Sequence, residues 1–433
     1  MNTPPLSIAI CGLGTVARGV LDVLKRNAQL IEQRAGRPIR VVTVASRTAR
    51  PEVDLLGAGF TTDLNSVIDD PNIDLVVELI GGETLADELV RRSLAAGKHV
   101  VTANKAIIAT HGDHYLEMAA ARDLVFGFES AVAGGIPVIG ALSRGLSANR
   151  IRWITGIING TSNYILTAMA QSGQDFATAL ADAQALGYAE ADPTFDVGGI
   201  DAAHKLTILA CLAFGIGMRF DAVYTEGIES LSIDDIEYAR QLGYRIKHLG
   251  IARHSEAGVE LRVHPTLIPE QQLLASVDGV MNAVMINSDA AGDTLYYGAG
   301  AGGEPTASAV VADLIDVARG CAPRWWVPDA SHADTALVPV AEIECACYLN
   351  IPSMDRPGVF ARAATILSDH NISIEAVIQK EQAVHLDAEQ SWVPIVILTH
   401  KVRESVMNKA IAELEALPEV VSPIKRIRVE HFV

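Results

Sequence analysis

Two lysines and a nearby carboxylate are the residues of this 433-residue chain whose spacing best suits acid–base chemistry. Lys205 lies four residues after Asp201, on the same face of a predicted helix, and Lys105 follows an apolar run. An exposed ion pair at that spacing contributes only about 0.3–0.5 kcal/mol to the stability of a helix. Because residues 206–212 are mostly apolar, we expect this helix to be buried and its charges to line a polar pocket.

Further acids, Glu190, Asp192 and Asp196, precede that helix. They could hold a substrate ammonium group, form a solvated acidic loop or bind a cation. An alcohol-oxidising enzyme needs a nicotinamide and a group that exchanges the hydroxyl proton. The chain has no clustered zinc ligands and no Tyr-x-x-x-Lys pair, so the two lysines are the leading acid–base candidates. Glu190 and Asp201 suit a substrate ammonium group.

A glycine-rich turn directly follows the first apolar run of the chain. Glycines there let the backbone approach a pyrophosphate, and the helix N-terminus supplies free amides. An ordinary tight turn is the alternative, but the position between a strand and a helix favours dinucleotide binding. The predicted cofactor-binding residues in this turn are Gly12, Leu13, Gly14, Thr15 and Val16.

The second predicted strand ends without the acid that would bind the 2′-hydroxyl of an adenosine ribose. Arg47 stands at that place instead, and no acid follows until Glu52. Because an arginine can receive a 2′-phosphate, the sequence favours NADP and leaves NAD open. The alternative interpretation of Arg47 is a solvated loop residue.

The elements that must position these residues form an α/β pattern of parallel βαβ units over residues 1–135. A Rossmann-type doubly wound parallel sheet is predicted, completed by residues at about 298–320. The predicted strands are Ser7–Cys11, Arg40–Ser46, Leu75–Leu79 and His99–Thr102, with a helix over Thr15–Arg34. Residues 136–297 predict an inserted α+β substrate domain.

Prolines and few periodic apolar positions indicate a linker over residues 321–343. Residues 344–433 follow the order βαββαβ, which predicts a ferredoxin-like domain. The chain therefore divides into three units.

Composition excludes several classes of partner. A net charge of -18 opposes binding to nucleic acid or to an anionic membrane surface. The five cysteines are scattered and odd in number, which favours a reducing compartment. The N-terminal residues do not resemble a signal peptide, and the most apolar stretch, from Leu206 to Met218, is too short to span a membrane. A cytoplasmic protein is expected.

Several motifs together resemble the homoserine dehydrogenase family along essentially the whole chain. They are the first glycine turn, Thr102-Ala103-Asn104-Lys105, the run Gly156 to Asn163, the acidic run, and Asp201-Ala202-Ala203-His204-Lys205. The resemblance implies reversible NAD(P)-dependent interconversion of L-homoserine and L-aspartate 4-semialdehyde, in threonine, methionine and isoleucine biosynthesis. No kinase-like region precedes these motifs, so a monofunctional enzyme is expected.

The resemblance also implies roles for individual residues. Lys205 would donate or accept the proton, with Lys105 as its partner near the nicotinamide, while Glu190 and Asp201 would hold the substrate with support from Asp196. A monovalent cation, typically sodium, would have a structural role. Its implied ligands are the Glu129 carboxylate and the carbonyls of Val132, Gly134 and Ile136.

A second glycine-rich turn, from Gly298 to Thr306, resembles the family's return segment. Gly300 and Gly303 could approach the cofactor through their amides, and a plain loop before a helix is the alternative.

The C-terminal unit resembles an ACT domain, on the residues Asp355-Arg356-Pro357-Gly358-Val359 and Asn371-Ile372-Ser373-Ile374. Its turn at a helix N-terminus could receive an amino-acid carboxylate. The resemblance implies an amino-acid effector, with L-threonine as the hypothesis, and a homodimer or homotetramer.

Two other functions remain open on the sequence alone. A phosphorylating semialdehyde oxidoreductase would need a nucleophilic cysteine, and the nearest candidate, Cys211, lies in the apolar helix where a thiol is normally inert. A catalytically silent NAD(P)-binding amino-acid sensor is the other possibility, although a sensor does not need paired lysines beside a nicotinamide.

Overall fold

The computed structural model describes residues 4–321, 335–379 and 392–432. These residues form a six-stranded parallel sheet and a larger mixed sheet. No helix in the described ranges is long and apolar enough to cross a membrane.

The first unit confirms the predicted doubly wound sheet. Its strands are β1 (Leu6–Cys11), β2 (Ile39–Ala45), β3 (Gly59–Thr61), β4 (Leu75–Glu78), β5 (His99–Thr102) and β6 (Phe126–Gly127). Its helices are α1 (Thr15–Arg26), α2 (Ala28–Ala35), α3 (Leu64–Asp69), α4 (Thr84–Ala95) and α5 (Lys105–Ala120). The strand order is β3-β2-β1-β4-β5-β6, so the direction of winding reverses between β1 and β4. Ligands of such sheets bind beyond the carboxyl ends of the strands at that point.

The prediction of a single helix over residues 15–34 was wrong in one respect, because the structure has two helices there, α1 and α2. Asn27 interrupts it with φ −109° and ψ 19°, outside the helical region. Asparagine is a weak helix former because its side chain competes for backbone hydrogen bonds. The first helix, which begins at the glycine turn, therefore ends earlier than predicted.

The second unit combines long strands with buried helices. Its helices are α6 (Val138–Gly140), α7 (Gly160–Ser172), α8 (Phe176–Ala185), α9 (Thr194–Val197), α10 (Ile200–Phe214) and α11 (Ile233–Gln241). Its strands are β7 (Ile151–Ile157), β8 (Tyr224–Thr225), β9 (Tyr244–Ser255), β10 (Gly258–Pro269), β11 (Met281–Ser288) and β12 (Gly292–Ala299).

Helix α12 (Gly303–Arg319) returns to the first unit and packs on α1. The two backbones are so close that a Cβ atom at Gly19 would lie 2.6 Å from the carbonyl oxygen of Gly303. This approach explains why both helices carry glycine there.

The third unit has the predicted βαββαβ order with one extra short strand. It comprises β13 (Glu344–Met354), α13 (Val359–Asp369), β14 (Ile374–Gln379), β15 (Trp392–Thr399), β16 (Val402–Arg403), α14 (Glu404–Glu415) and β17 (Lys425–Val429). The strands lie in the order β17-β13-β15-β14. This arrangement is ferredoxin-like, as expected.

The second and third units share one eleven-stranded sheet, which the sequence did not predict. Strand β17 pairs in parallel with β10, where Thr266 aligns with Arg428. Part of the predicted linker also joins this sheet, because the Val338 amide donates to the Val259 carbonyl at 2.9 Å. Residues 322–334 of that linker lie outside the described residues.

Candidate active site

The two lysines singled out in the sequence meet at one carboxylate. Lys205 Nζ donates to Asp201 Oδ2 at 2.6 Å, and Lys105 Nζ lies 3.2 Å from Asp201 Oδ1. The Lys205 ammonium also donates to the Ile158 carbonyl at 2.7 Å. Two cations therefore share one anion, and we call these three side chains the lysine cluster.

Helix α10 places Asp201 and Lys205 on one buried face. Residues 201–211 of this helix are all buried, as the apolar continuation of the helix predicted. The helix begins after Gly199, which has φ +87° and whose missing Cβ would lie 2.9 Å from Thr225 Cγ2. The left-handed turn and the crowding there favour glycine.

Asn159 completes the cluster, although the sequence analysis did not name it as a site residue. Its Nδ2 donates to both Asp196 Oδ1 and Asp201 Oδ2 at 2.8 Å, while its Oδ1 accepts the Ser162 amide as the N-cap of α7. The asparagine before an apolar helical pattern was a visible N-cap signal. Its second role was not visible, because Asp196 and Asp201 are distant in sequence.

The charges in the cluster shift the pKa values of their neighbours. Burial alone would raise the pKa of Asp201, but the charges of Lys205 and Lys105 hold it well below its usual range. For Asp196, burial outweighs the Asn159 hydrogen bond and raises the pKa. Burial, together with the charge of Lys105, lowers the pKa of His204 to about 4. His204 is therefore neutral near pH 7.

Lys105 is positioned by a buried network at the ends of β4 and β5. Glu78 Oε1 accepts the amides of Ile80 and Gly81, at 2.8 and 3.3 Å. The Thr102 hydroxyl donates to Glu78 Oε2 at 2.5 Å and accepts the Asn104 amide at 3.0 Å. This network joins two neighbouring strand ends immediately before Lys105 begins α5.

A cavity of about 550 Å³ lies over the lysine cluster, and several predicted site residues line it. Those residues are Val16, Lys105, Gly134, Glu190, Asp196, Asp201, Lys205 and Gly300. Glu190 is exposed on the loop between α8 and α9. The volume suits a small ligand together with part of a cofactor.

A second cavity, of about 460 Å³, lies beyond the carboxyl ends of β1 and β2. It is lined by Gly12, Leu13, Gly14 and Arg47, and also by Arg50, which the sequence analysis did not single out. A Cβ at Gly12 would lie 2.2 Å from the Leu79 carbonyl oxygen, so this turn must be glycine. The close backbone, the first turn of α1 and two arginines fit an anionic dinucleotide.

Two of the predicted cofactor residues, Thr15 and Gly303, line neither cavity. Gly303 packs against α1, where its missing Cβ would lie 3.1 Å from Thr15 Cγ2. The close packing of Gly303 on Thr15 joins the return segment to the start of α1.

The Glu129 side chain predicted to bind a cation is buried. Its two carboxylate oxygens accept the amides of Ile139 and Gly140, at 2.9 and 2.6 Å. Burial raises its pKa and also that of Asp313, which accepts the Glu129 amide at 3.0 Å. The nearby Arg144 forms its described ion pair with a third acid, Asp316, at 2.8 Å.

The loop after Glu129 has an unusual backbone. Ala133 and Gly134 are both left-handed, with φ 54° and 47°. Left-handed alanine is strained, and such strain is found at ligand-binding loops. The buried acids Glu129 and Asp313 supply the oxygen atoms that a hard cation prefers, while the Ile136 carbonyl already accepts the Val138 amide at 2.8 Å. The implied carbonyl ligands in this loop are Val132, Gly134 and Ile136.

No cysteine described near the lysine cluster is suited to nucleophilic catalysis. Cys211 is buried in α10, and burial raises the pKa of its thiol. Among the described residues, one group of three could hold a metal ion, Cys345, Cys347 and Glu404, and it lies in the third unit. There Glu404 already accepts from Arg428 Nε at 2.8 Å, so a cation would face a guanidinium.

Sequence models of known families match all three units. Residues 12–125 match the homoserine dehydrogenase NAD-binding domain, residues 137–315 match homoserine dehydrogenase, and residues 348–419 match the ACT domain.

Individual proteins are similar over the full length of the chain. A homoserine dehydrogenase from Pseudomonas aeruginosa is 56% identical over 99% of both chains. The crystal structure of a homoserine dehydrogenase from Thiobacillus denitrificans is 53% identical, with a TM-score of 0.92, over 99% of this chain and 98% of that one. A hyperthermophilic archaeal homoserine dehydrogenase in complex with NADPH covers 72% of this chain and 97% of its own, at 25% identity and a TM-score of 0.61.

Proposed function

The chain belongs to the homoserine dehydrogenase family, and we propose that Lys205 and Lys105 carry the proton transfer of its reaction. The protein is an NAD(P)-dependent oxidoreductase that interconverts L-homoserine and L-aspartate 4-semialdehyde, with a C-terminal ACT domain. The carboxylate that both lysines share supports this assignment, because it holds two potential proton carriers at one cavity wall.

Oxidation of the substrate releases a proton that a positioned side chain in this cavity can accept. Oxidation of the homoserine hydroxyl breaks one O–H and one C–H bond, and the nicotinamide takes the hydride. In its deprotonated form the Lys205 amine accepts the hydroxyl proton and becomes an ammonium group, and in the opposite direction that ammonium group donates a proton to the aldehyde oxygen. Lys105, half-exposed at the start of α5, is its partner on the cofactor side.

The acids have distinct parts in this proposal. Asp201 is held between two ammonium groups, so it orients the lysines and reaches the substrate alongside them. Glu190 lines the cavity from an exposed loop and is free to hold the substrate ammonium group. Asp196 supports this grip through Asn159. Burial raises the pKa of Asp196, and a bound cationic group would offset this effect by favouring the carboxylate form.

We propose NADP as the preferred cofactor, with NAD as the alternative. Arg47 and Arg50 line the cavity beyond β2, where a 2′-phosphate would lie. Gly12, Leu13 and Gly14 would hold the pyrophosphate.

For the cation, we propose sodium with a structural role at the loop after Glu129. A bound monovalent ion would balance the buried acids Glu129 and Asp313.

We propose that an amino acid, L-threonine in the first instance, inhibits the enzyme through the ACT domain, in a homodimer or homotetramer. Gly358 is left-handed at the N-terminus of α13, where amides can receive a carboxylate. The shared sheet gives this domain a direct connection to the catalytic unit.

The exposed Tyr297 on edge strand β12 supports a subunit interface. The five free cysteines support a cytoplasmic location.

Lys205→Met tests the proton-transfer assignment. We expect turnover with homoserine to fall by about 10²–10⁴-fold, the usual contribution of a general acid–base group. NAD(P)H absorbance gives turnover, and quenching of protein fluorescence gives cofactor affinity, which should be retained. Arg245→Met is the matched surface control and should keep normal turnover. Turnover within a few fold of normal in Lys205→Met would contradict the proposal.

A further inference from the structure

Asn282, at the start of β11, is a buried amide whose hydrogen-bonding capacity is unused. Its side chain is 1% exposed, and neither Oδ1 nor Nδ2 has a partner. Among the described residues, it is the one side chain with two buried polar atoms that both lack a partner. Leaving such a group unpaired costs about 1–3 kcal/mol. Asn282 therefore differs from an ordinary structural asparagine.

A nearby asparagine differs from Asn282 at its nitrogen atom. Asn163 on α7 is equally buried and its Oδ1 also lacks a partner, but its Nδ2 donates to the carbonyls of Val277, Gly279 and Met281 at 3.0–3.1 Å. That amide group anchors α7 to the segment before β11. Asn282 makes no comparable contact, so holding the backbone together does not explain it.

Asn282 lies between the two halves of the proposed site. It lines the cavity that contains both lysines. On one side is Gly160, whose missing Cβ would lie 3.6 Å from Asn282 Oδ1 and which follows Asn159. On the other side is Gly300, in the glycine-rich segment that leads to α12 beside α1. This position is therefore within the cavity that a nicotinamide ring would enter if it extended from the glycine turn towards Lys205.

The chemistry of the unpaired atoms favours a ligand group that both donates and accepts hydrogen bonds. A carboxylate would satisfy only Nδ2, and an ammonium group would satisfy only Oδ1. A primary carboxamide satisfies both, because its oxygen accepts from Nδ2 and its NH₂ donates to Oδ1. We propose that Asn282 binds the carboxamide of the nicotinamide and thereby fixes the orientation of the ring. This inference rests on the proposed function in that it requires the cofactor to enter the lysine cavity.

Gly300 controls access to this amide. A Cβ at Gly300 would lie 2.1–2.3 Å from Cγ, Nδ2 and Oδ1 of Asn282, so its backbone lies directly on the amide. A glycine is needed here for contact with Asn282 rather than for a left-handed turn, since its φ is not positive. For the cofactor carboxamide to take the place of this backbone contact, the Gly298–Gly303 segment would have to move away from Asn282.

Cofactor analogues test the contact directly. In the 3-acetylpyridine analogue of the dinucleotide, a methyl group replaces the carboxamide NH₂ and removes the donor to Oδ1. We expect the wild-type protein to bind the reduced analogue about 10-fold more weakly than the natural reduced cofactor, as for loss of one buried hydrogen bond. Asn282→Ala should bind the two within about 2-fold of each other. Fluorescence titration of each reduced dinucleotide gives the dissociation constants without requiring turnover.

Controls separate a direct contact from a structural effect. Asn163→Ala also removes a buried amide, and it should keep the wild-type preference for the natural cofactor. If Asn282→Ala does not fold, Gly300→Ala displaces the same amide and should also lose the preference. A wild-type preference retained in the folded Asn282 or Gly300 variant would overturn the proposal. Because binding does not depend on proton transfer, Lys205→Met should keep the preference even if the lysine assignment is wrong.

Discussion

The lysine cluster and the contact between β10 and β17 both bury charged side chains, but they do so in different ways. We call the second group the junction cluster: it consists of Glu226, Arg253, Glu260, Arg262, Glu404, Arg428 and Glu430. In the lysine cluster two cations share one acid beneath a cavity. In the junction cluster each arginine has at least two acids within ion-pair distance.

Contacts within the junction cluster connect the ACT domain to the catalytic unit. Arg262 has a fully buried side chain and donates to Glu430 at 2.5 Å. Arg428 donates to Glu404 and Glu226, both at 2.8 Å, and lies over the Tyr224 ring. These contacts join β10, β17 and α14. Strong burial of charge is therefore no mark of catalysis by itself, whereas buried charge that lines a cavity can act on a ligand.

Arg262→Met is expected to have the largest effect on stability. Removing this arginine leaves the buried Glu430 and Glu260 with Arg253 as their remaining described ion-pair partner. Breaking a buried ion pair typically costs about 3–5 kcal/mol. Denaturant titration should show the loss, and the folded fraction should keep a normal KM for homoserine. Lys205→Met should show the reverse, with a large loss of turnover and a smaller loss of stability. Equal loss of stability in both variants would remove the distinction between the clusters.

Thr102→Val should have an intermediate effect, confined to the lysine cluster. Loss of the hydroxyl leaves Glu78 Oε2 and the Asn104 amide without this partner, so the start of α5 is held less firmly. We expect kcat/KM to fall about 10-fold, equivalent to about 1.4 kcal/mol. Thr102→Ser keeps the hydroxyl and should retain most activity. A kcat/KM that is equal in the valine and serine variants would contradict the positioning role.

The response to pH should be the smallest effect close to neutrality, and it should involve both regions. Burial and nearby cations lower the pKa of His204 to about 4 and hold the pKa of His264, in the junction region, well below its usual value. Unfolded histidine has a pKa of about 6.5, so below that pH the unfolded chain binds protons that the folded chain does not. Stability should therefore fall as the pH drops from 6.5 towards 4.

Thermal unfolding measured between pH 7.5 and 4.5 checks this response. Each histidine contributes at most about 1.4 kcal/mol per pH unit. His204→Gln and His264→Gln should each flatten the curve. Curves that keep the wild-type slope in both variants would show that other groups control acid stability.

Local sequence patterns were sufficient for much of the fold. The apolar runs of β1 and β4, the glycine turn between β1 and α1, and the buried helix α10 all depend on residues close together in the chain. The i, i+4 spacing of Asp201 and Lys205 is also local, so their shared face was predictable. Asn27 is an exception, because one weak helix former was not enough to predict a break.

The partners in the site were less predictable because they come from distant segments. Nothing near Lys105 indicates that it meets Asp201, which lies on another element of another unit. Glu78, Asn159 and Asn282 were missed for the same reason. Asn282 in particular has no motif that distinguishes it from Asn163, and only the packing around it leaves its amide unpaired.

By itself, the amino-acid sequence determined the three units, the dinucleotide turn and the helix that carries Asp201 and Lys205. These features follow from periodicity and turn chemistry, which act over a few residues. Only the tertiary structure decided that β17 continues the catalytic sheet and that Lys105 faces Asp201. Strand pairing and burial of charge depend on contacts between residues far apart in the chain, and each such contact is favourable only when the rest of the fold is in place.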